Sequence, residues 1–203
     1  MSKVSISLNE VLRSFISQFA YTYEKYVGEV DIKEDDVTNF NLTEFFKFET
    51  TKKFNEFLYL EAPLEIFGHA DQMSDGLMNH FNAFLMEIKD EEEHQIELVS
   101  REIDKAIPST LFFLSKTGCR AENIRFVSSY ADKWNGTDVL VTANPTALEA
   151  KPNGKISVKV KASYNKDVQA DYEIDSILDF IKDEELRNKI LNTKITTYEE
   201  ITK

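Results

Sequence analysis

Residues 94–128, HQIELVSREIDKAIPSTLFFLSKTGCRAENIRFVS, carry the clearest alternation of strand and helix patterns in this sequence. Two strand candidates, HQIELVS (94–100) and NIRFVS (123–128), flank a helical pattern. The helix is expected to open at Pro108, a favoured first-turn residue, and to stop at Gly118, a favoured residue just after a helix. Two strands joined by a helix form a βαβ unit, in which the strands run parallel.

The same alternation continues on both sides of this segment. At the N-terminus the apolar residues Val4, Ile6 and Leu8 alternate with serines, which predicts a first strand. Further strands and helices are predicted in the second half of the chain, at DVLVT (138–142), TALEAK (146–151), KISVKV (155–160), ADYEI (170–174) and DSILDFI (175–181). The sequence therefore predicts an α/β fold with a mostly parallel sheet.

A long helical segment separates the first two strands. A helical stripe is expected from Val11 to near Gly28, an acidic loop over 29–43, a Phe-rich helix over 44–60, and a helix capped by Ser74 or Asp75. We therefore predict an α/β core formed by residues 1–13 and 76–183, a helical cap inserted at 14–75, and a C-terminal helix and tail at 184–203. The polar end from about Asn192 is typical of a tail or of an arm that docks on a partner.

Composition excludes several classes of protein. The chain has 203 residues and a net charge of −12, so it lacks the basic surface of a general nucleic-acid binder. Its one cysteine, Cys119, cannot form an internal disulfide, and its three histidines have no metal-ligand spacing with that cysteine or with each other. No secretory signal is expected at the N-terminus, and no apolar run approaches the roughly 20 residues of a membrane-spanning helix.

Polar residues follow three of the predicted strands. Ser7 and Asn9 end the first strand, Ser100 ends the second, and Thr142 and Ala143 end the fourth. An open α/β sheet places its functional groups at the carboxyl ends of its strands, so these positions are the candidate site.

This arrangement resembles the haloacid dehalogenase-like (HAD) phosphatases, nearest their deoxyribonucleotidase branch, over the chain up to about residue 183. In that family the first strand ends in Asp-x-Asp, where this chain has SLNEVLRSF. The resemblance implies that Ser7 stands in place of the nucleophile and Asn9 in place of the general acid. Ser100 in ELVSRE and Lys133 in ADKWNG match the phosphate-binding Ser or Thr and the Lys.

The remaining family acids, which bind Mg²⁺, align with Thr142 and Ala143 in DVLVTANP. A serine without a base, an asparagine that cannot cycle a proton, and an alanine cannot supply the carboxylates that this chemistry and a Mg²⁺ ion need. Glu10 lies one residue past the motif, and Asp138 begins its strand. The resemblance therefore implies a HAD-like fold without catalysis, with no cofactor and no metal.

A weaker resemblance extends to degenerate HAD-like virion proteins of crAss-like gut phages. It implies a structural or interaction protein of a phage particle, such as a portal–tail ring or connector, located in the virion or in the host cytoplasm. Its expected partners are further copies of the chain or other virion proteins, without sequence-specific nucleic-acid binding or membrane association. Two alternatives stay open, a HAD-type nucleotide phosphatase and a sensor that binds a nucleotide or phosphate through Ser100 and Lys133.

The abundance of phenylalanine between residues 40 and 57 allows two interpretations. The rings form the small core of the helical insertion, or some of them are exposed and form an interface, because aromatic residues anchor protein contacts. The candidate interface residues are Phe40, Phe45, Phe46, Phe48, Phe54, Phe57 and, in the tail, Tyr198.

Overall fold

The computed structural model describes residues 2–91 and 94–193. In it, strand β1 (Ser2–Ser7) lies inside a six-stranded, all-parallel sheet. The strand order is β3-β2-β1-β4-β5-β6, a Rossmann-like order. The other strands are β2 (His94–Ser100), β3 (Ile124–Phe126), β4 (Val139–Thr142), β5 (Ile156–Val160) and β6 (Tyr172–Ile174). The α/β fold and all six predicted strands are confirmed, with bounds that differ by up to two residues.

The order of the strands reverses next to β1. From Ser2↔His94 to Ser7↔Val99, β1 pairs with β2, and from Val4↔Val139 to Ile6↔Val141 it pairs with β4. The chain thus proceeds outward through β2 and β3 on one side and through β4, β5 and β6 on the other. Such a switch point leaves a crevice at the carboxyl ends of the two central strands.

Seven α-helices lie in the described part of the chain. They are α1 (Phe15–Tyr26), α2 (Thr51–Glu56), α3 (Leu77–Glu91), α4 (Ala106–Lys116), α5 (Pro145–Glu149), α6 (Ile177–Lys182) and α7 (Glu184–Leu191). Shorter 3₁₀ turns occupy Glu34–Asp36, Leu42–Glu44 and Ala131–Trp134, and π-helical turns occupy Phe57–Glu61 and Leu64–Gly68. None of the helices in the described ranges is long and apolar enough to cross a membrane.

The helix predicted from Val11 was wrong at its start. The amides of Val11, Leu12 and Arg13 all donate to the carbonyl of Leu8, so the chain makes a tight turn there. Glu10 has a φ of 57° within this turn, and α1 begins only at Phe15. The apolar residues before Phe15 are buried by this turn rather than by a helix.

Three other helix starts also differ from the prediction. The Phe-rich helix begins at Thr51, where the Thr50 hydroxyl accepts from the amide of Lys53, and not at residue 44. Helix α4 begins two residues before Pro108. At α3 the side chain of Gln72, and not Ser74 or Asp75, accepts from the amide of Met78. Helix α4 ends at Lys116, and Gly118 follows with a φ of 69°, as the prediction of a helix end there requires.

Two large groups of buried apolar side chains stabilise the molecule, beside a third of only five buried residues, which are Val99, Val127, Trp134, Leu140 and Ala147. The larger group joins the sheet to α3, α6 and α7. The smaller group is built from residues between 19 and 67, to which only Ala106 is added from elsewhere among its buried members. Phe19 packs edge-on against both Phe46 and Phe57 at its centre.

The phenylalanines proposed for an interface lie mostly within this smaller group. Phe46 and Phe57 are buried in it, so neither ring is presented at the surface. Phe45, Phe48 and Phe54 are half-buried around it. Phe40 instead contacts Tyr130 and Tyr164 of the sheet-bearing part of the chain. Tyr198 lies outside the described residues.

Candidate functional site

A cavity of about 180 Å³ opens at the carboxyl edge of the sheet, where β1, β2 and β4 end. The ends of these strands contribute polar side chains to it, and residues 37–67 contribute aromatic and amide side chains. The lining includes Asn9, Glu10, Ser100, Arg101, Glu102 and Asn144 from the strand ends, Lys133 from the 3₁₀ turn before β4, and Val37, Phe40, Phe54, Leu58, Tyr59 and Phe67 from the segment between β1 and β2. The cavity therefore lies at the topological switch point of the sheet.

Three of the predicted site residues form a chain of hydrogen bonds with Ser7 at its centre. Lys133 Nζ donates to Ser7 Oγ at 3.0 Å, and Ser7 Oγ donates to Thr142 Oγ1 at 2.9 Å. Thr142 Oγ1 in turn accepts from the amide of Asn144 at 3.1 Å. Ser7 and Thr142 are buried and do not line the cavity, whereas Lys133 does. The predicted convergence of β1, β4 and the Lys133 segment is thus present in the structure.

Lys133 is held in place by the 3₁₀ turn Ala131–Trp134. The Trp134 indole donates to the carbonyl of Ala147 at 2.7 Å, and the Lys133 carbonyl accepts from the Thr137 hydroxyl at 2.7 Å. Burial lowers the pKa of the Lys133 ammonium to about 8, although the nearby Glu102 acts in the opposite direction. At neutral pH Lys133 is therefore a buried cation, and within the described ranges it makes no ion pair.

Asn9 stands at the position where the resemblance expects a general acid, but it contacts a buried arginine. Its side-chain oxygen accepts from Arg13 Nε at 2.9 Å and from Arg13 Nη2 at 2.5 Å. Arg13 is completely buried and also donates to Glu102 Oε1 at 2.6 Å and to Thr110 Oγ1 at 2.8 Å. Its guanidinium lies 5.0 Å from the ring centre of Phe67. Asn9 is therefore a partner of a buried arginine.

Glu102 is only partly satisfied by this arrangement. It is 2% exposed, and its Oε1 pairs with Arg13. Its Oε2 is buried and has no hydrogen-bond partner within residues 2–91 and 94–193. A buried carboxylate oxygen without a donor is costly, and such groups are rare in folded proteins. Glu102 also lines the cavity.

Glu10 lies in the turn after β1 and closes the start of α1. Its Oε1 accepts from the amides of Phe15 and Ile16, each at 2.8 Å. These are two of the amides that the first turn of a helix leaves without intrahelical partners. Burial, aided by the nearby charge of Glu34, raises the pKa of the Glu10 carboxyl to about 8. The Glu10 carboxyl thus caps the first turn of α1.

The end of β2 adds a second cation. Ser100 is buried and lines the cavity, and its carbonyl accepts from Val127. The Arg101 guanidinium lies 4.9 Å from the ring centre of Tyr130, and its Nε donates to the carbonyl of Ser128 at 3.3 Å. Burial raises the pKa of Tyr59, opposite in the lining, to about 12. Tyr59 is therefore a neutral hydroxyl over the usual pH range.

Ala143 does not belong to the cavity. It is buried, and its carbonyl accepts from Asn165 Nδ2 at 2.8 Å. Of the six residues predicted for the site, Asn9, Ser100 and Lys133 line the cavity, while Ser7, Thr142 and Ala143 do not.

The donor set at these positions does not fit Mg²⁺. This ion needs charged oxygen ligands in near-octahedral geometry. Ser7 is bonded to an ammonium, Asn9 accepts twice from a guanidinium, and Ala143 offers no side-chain ligand. No group of three or more His, Cys, Asp or Glu side chains that could hold a metal occurs in the part of the chain that the structure describes.

From the sequence, Arg13 and Glu102 were missed as residues of the site, and Glu10 was set aside because this residue lies one position past the motif. Arg13 lies five residues after Leu8 and thus close to the end of β1, which was the available signal for it. Glu102 follows the predicted strand end at Ser100 by two residues, and this was the available signal. Nothing in the sequence joins Arg13 to Glu102, which lies 89 positions away.

The fold and the site together define a class of protein: a Rossmann-like α/β protein with a cavity of mixed charge at the switch point of its sheet. No family model matches the chain, and no curated protein matches it in sequence.

Proposed function

We propose that this chain is a non-catalytic protein with a HAD-like fold, whose function is interaction and not phosphoryl transfer. In this proposal residues 14–75 are a cap inserted after the first strand, and the cavity is the former active site. The lining of the cavity by Val37, Phe54 and Tyr59 from this segment and by Ser100 and Lys133 from the strand ends supports that assignment.

The contact of Ser7 with Lys133 and Thr142 carries the proposal. A HAD phosphatase needs a carboxylate at the place of Ser7, and here a hydroxyl fills it, bonded on both sides. The two carboxyl groups of the cavity hold other contacts, because Glu10 Oε1 accepts from the start of α1 and Glu102 Oε1 accepts from Arg13. Neither is placed as a nucleophile next to a proton donor.

A phosphatase assay tests this proposal. The purified chain is incubated at high concentration with Mg²⁺ and a panel of deoxynucleoside monophosphates, and phosphate release is measured. The matched control is Lys133→Met, purified in the same way, which removes the cation of the site but no carboxylate. We expect equal background release from both proteins. Mg²⁺-dependent release that Lys133→Met abolishes would refute the proposal and establish the phosphatase alternative.

The nature of the interaction rests on the weaker resemblance to virion proteins. We propose that the chain assembles with copies of itself or with other proteins of a phage particle, as a ring or connector between portal and tail. Light scattering on a sizing column over several concentrations tests self-assembly, with a discrete closed oligomer as the expected result. Mass spectrometry of purified particles of the source virus tests the location, and absence of the chain from them would refute it.

The cavity favours a second candidate function, a sensor that binds a small anion without hydrolysis. Lys133 and Arg101 both line the cavity, in a chain whose net charge is −12. Two cations concentrated at one place in an acidic protein attract an anion there. Calorimetry with nucleoside mono- and diphosphates tests a nucleotide as that anion, and heat that Lys133→Met abolishes is the expected signature.

A further inference from the structure

We propose that the cavity binds a small zwitterion with one aromatic ring, of the aromatic α-amino acid type. The carboxylate of this ligand would face Lys133 and Arg101, and its ammonium would donate to Glu102 Oε2. The inference deepens the proposed function, since it names the ligand of a site that binds without hydrolysis.

The anionic end of the ligand follows from the two cations. Lys133 Nζ is buried, makes its one hydrogen bond to the hydroxyl of Ser7, and makes no ion pair with any described carboxylate. Arg101 is half-buried beside it, stacked on Tyr130. A buried ammonium without a counter-charge is costly, and a carboxylate in the cavity would relieve that cost.

The cationic end of the ligand follows from Glu102. Its Oε1 is paired with Arg13, whereas its Oε2 has no donor within the described ranges. The N–H groups of the Arg13 guanidinium, which contacts Glu102, already donate to Asn9, Thr110 and Glu102 Oε1. A sulfate would bring only further acceptors to this oxygen and a phosphate a like charge with one or two hydroxyl donors, whereas an ammonium brings three donors and a positive charge.

The walls and the volume determine the size of the ligand. Phe15 and Tyr59 each stack on Phe67, with ring centres 5.4 and 6.2 Å apart, and all three line the cavity together with Phe54 and Leu58. The volume is about 180 Å³, and a cavity of roughly 150 Å³ holds a benzene molecule. By this comparison the enclosed space holds one six-membered ring and about one further non-hydrogen atom, so the ring of the ligand would fill it and the charged groups would extend from the ring to the strand ends, whereas a purine base alone exceeds the space.

Calorimetry at pH 7 with matched ligands tests the proposal. The series comprises L-phenylalanine, L-tyrosine and L-tryptophan, 3-phenylpropionate, which lacks the ammonium, phenethylamine, which lacks the carboxylate, and inorganic phosphate and dAMP. We expect at least one of the amino acids to bind, and each analogue that lacks one charge to bind at least tenfold more weakly. This comparison uses the unmodified chain, so it does not depend on the folding of any variant.

Variants then assign the two ends of the ligand. Glu102→Gln is expected to weaken the amino acid at least tenfold and not to weaken 3-phenylpropionate, because only the amino acid has an ammonium. Lys133→Met is expected to weaken the binding of both the amino acid and 3-phenylpropionate. Glu149→Gln, at an exposed position of α5, is the control and is expected to weaken the binding of neither ligand.

Binding of phosphate or dAMP without binding of any amino acid would overturn the inference, and so would the absence of heat with the whole series. Equal affinity for L-phenylalanine and 3-phenylpropionate would also overturn it. These outcomes are separate from the phosphatase assay, where release of phosphate refutes the proposed function whatever the amino acids do.

Discussion

Lys133 Nζ donates a hydrogen bond to Ser7 Oγ at 3.0 Å, across 126 positions of sequence. The contact joins the 3₁₀ turn before β4 to the end of β1, at the place where the strand order reverses. The ammonium thus faces a neutral hydroxyl, and its charge is not balanced by a carboxylate at that position. The pKa of Lys133 and the dependence of stability on pH above neutrality should depend on this contact.

Replacing Ser7 by Asp should restore a counter-charge for Lys133. A carboxylate within hydrogen-bond distance favours the charged form of an amine, so the pKa of Lys133 should rise from about 8 toward its usual value. Ser7→Ala is the matched control and should not raise it. The measurement is NMR of labelled lysine side chains over a pH series, and an unchanged pKa in Ser7→Asp would contradict the geometry.

Lys133 should make stability depend on pH above neutrality. Its pKa is lowered from 10.5 to about 8 in the fold, so between these values the unfolded chain binds more protons than the folded one. The free energy of unfolding should therefore fall as the pH drops from 10.5 to 8, by on the order of 3 kcal/mol. Lys133→Met should remove this slope, and the exposed Lys166→Met should retain it, as measured by urea denaturation at several pH values.

Glu10 should produce the opposite slope at lower pH. Its pKa is raised from 4.5 to about 8, so the folded chain holds this proton more tightly than the unfolded chain. The contribution is fully present below pH 4.5 and is lost as the pH rises to 8, with a change on the order of 5 kcal/mol. Glu10→Gln keeps an oxygen for the amides of Phe15 and Ile16 and should flatten the slope over this range.

The same denaturation series checks the Glu10 prediction, with the exposed Glu24→Gln as its control. If Glu10→Gln and the unmodified chain lose stability equally between pH 5 and pH 8, the burial of this carboxyl is not the cause of the slope.

Arg13→Met should be strongly destabilising. Removal of one partner from a buried ion pair leaves the other charge uncompensated, at about 3–5 kcal/mol. Adding Glu102→Gln to Arg13→Met should recover part of this loss, because the uncompensated charge then disappears. Equilibrium unfolding of the two single variants and the double variant measures the coupling. Arg120→Met, at an exposed position, should change the free energy of unfolding by less than about 0.5 kcal/mol.

Gly68→Ala should loosen the packing of the π-helical turn Leu64–Gly68 on α4. A Cβ at Gly68 would lie 2.8 Å from Leu64 Cδ1, 3.1 Å from Phe112 Cδ1 and 3.2 Å from the carbonyl oxygen of Ser109. The side chains can move but the carbonyl belongs to a helix, so we expect a loss of about 1–3 kcal/mol. Gly28→Ala, where a Cβ meets nothing within 4 Å, should be nearly neutral. Thermal unfolding of the two variants and of the unmodified chain measures the difference.

The strands were predictable because their signal is local. In KISVKV and DVLVT the apolar residues lie within five or six positions of each other, and β5 and β4 form there. The start of α1 was not predictable in this way. Val11 and Leu12 fit a helical stripe, but both are buried beside β1 in a turn whose amides converge on Leu8. Apolar spacing alone does not distinguish these two ways of burying a side chain.

The site was predicted in part for the same reason. Because β1 and β4 are neighbours in a parallel sheet, residues at their carboxyl ends had to meet, and Ser7 contacts Thr142 as expected. That Ala143 would turn away from the cavity, and that Asn9 would pair with Arg13, depended on side-chain directions in the turns that follow these strands.

By itself the sequence determined the α/β class, the parallel sheet and the edge of the sheet at which the polar residues meet, since periodicity and the alternation of strands with helices along the chain are local properties. Only the tertiary structure decided which charges are compensated. The Arg13–Glu102 pair spans 89 positions, and the lack of a donor for Glu102 Oε2 results from the packing of several segments around it. Burial and hydrogen bonding of a charge depend on every element that surrounds it, so these properties emerge only when the whole chain is folded.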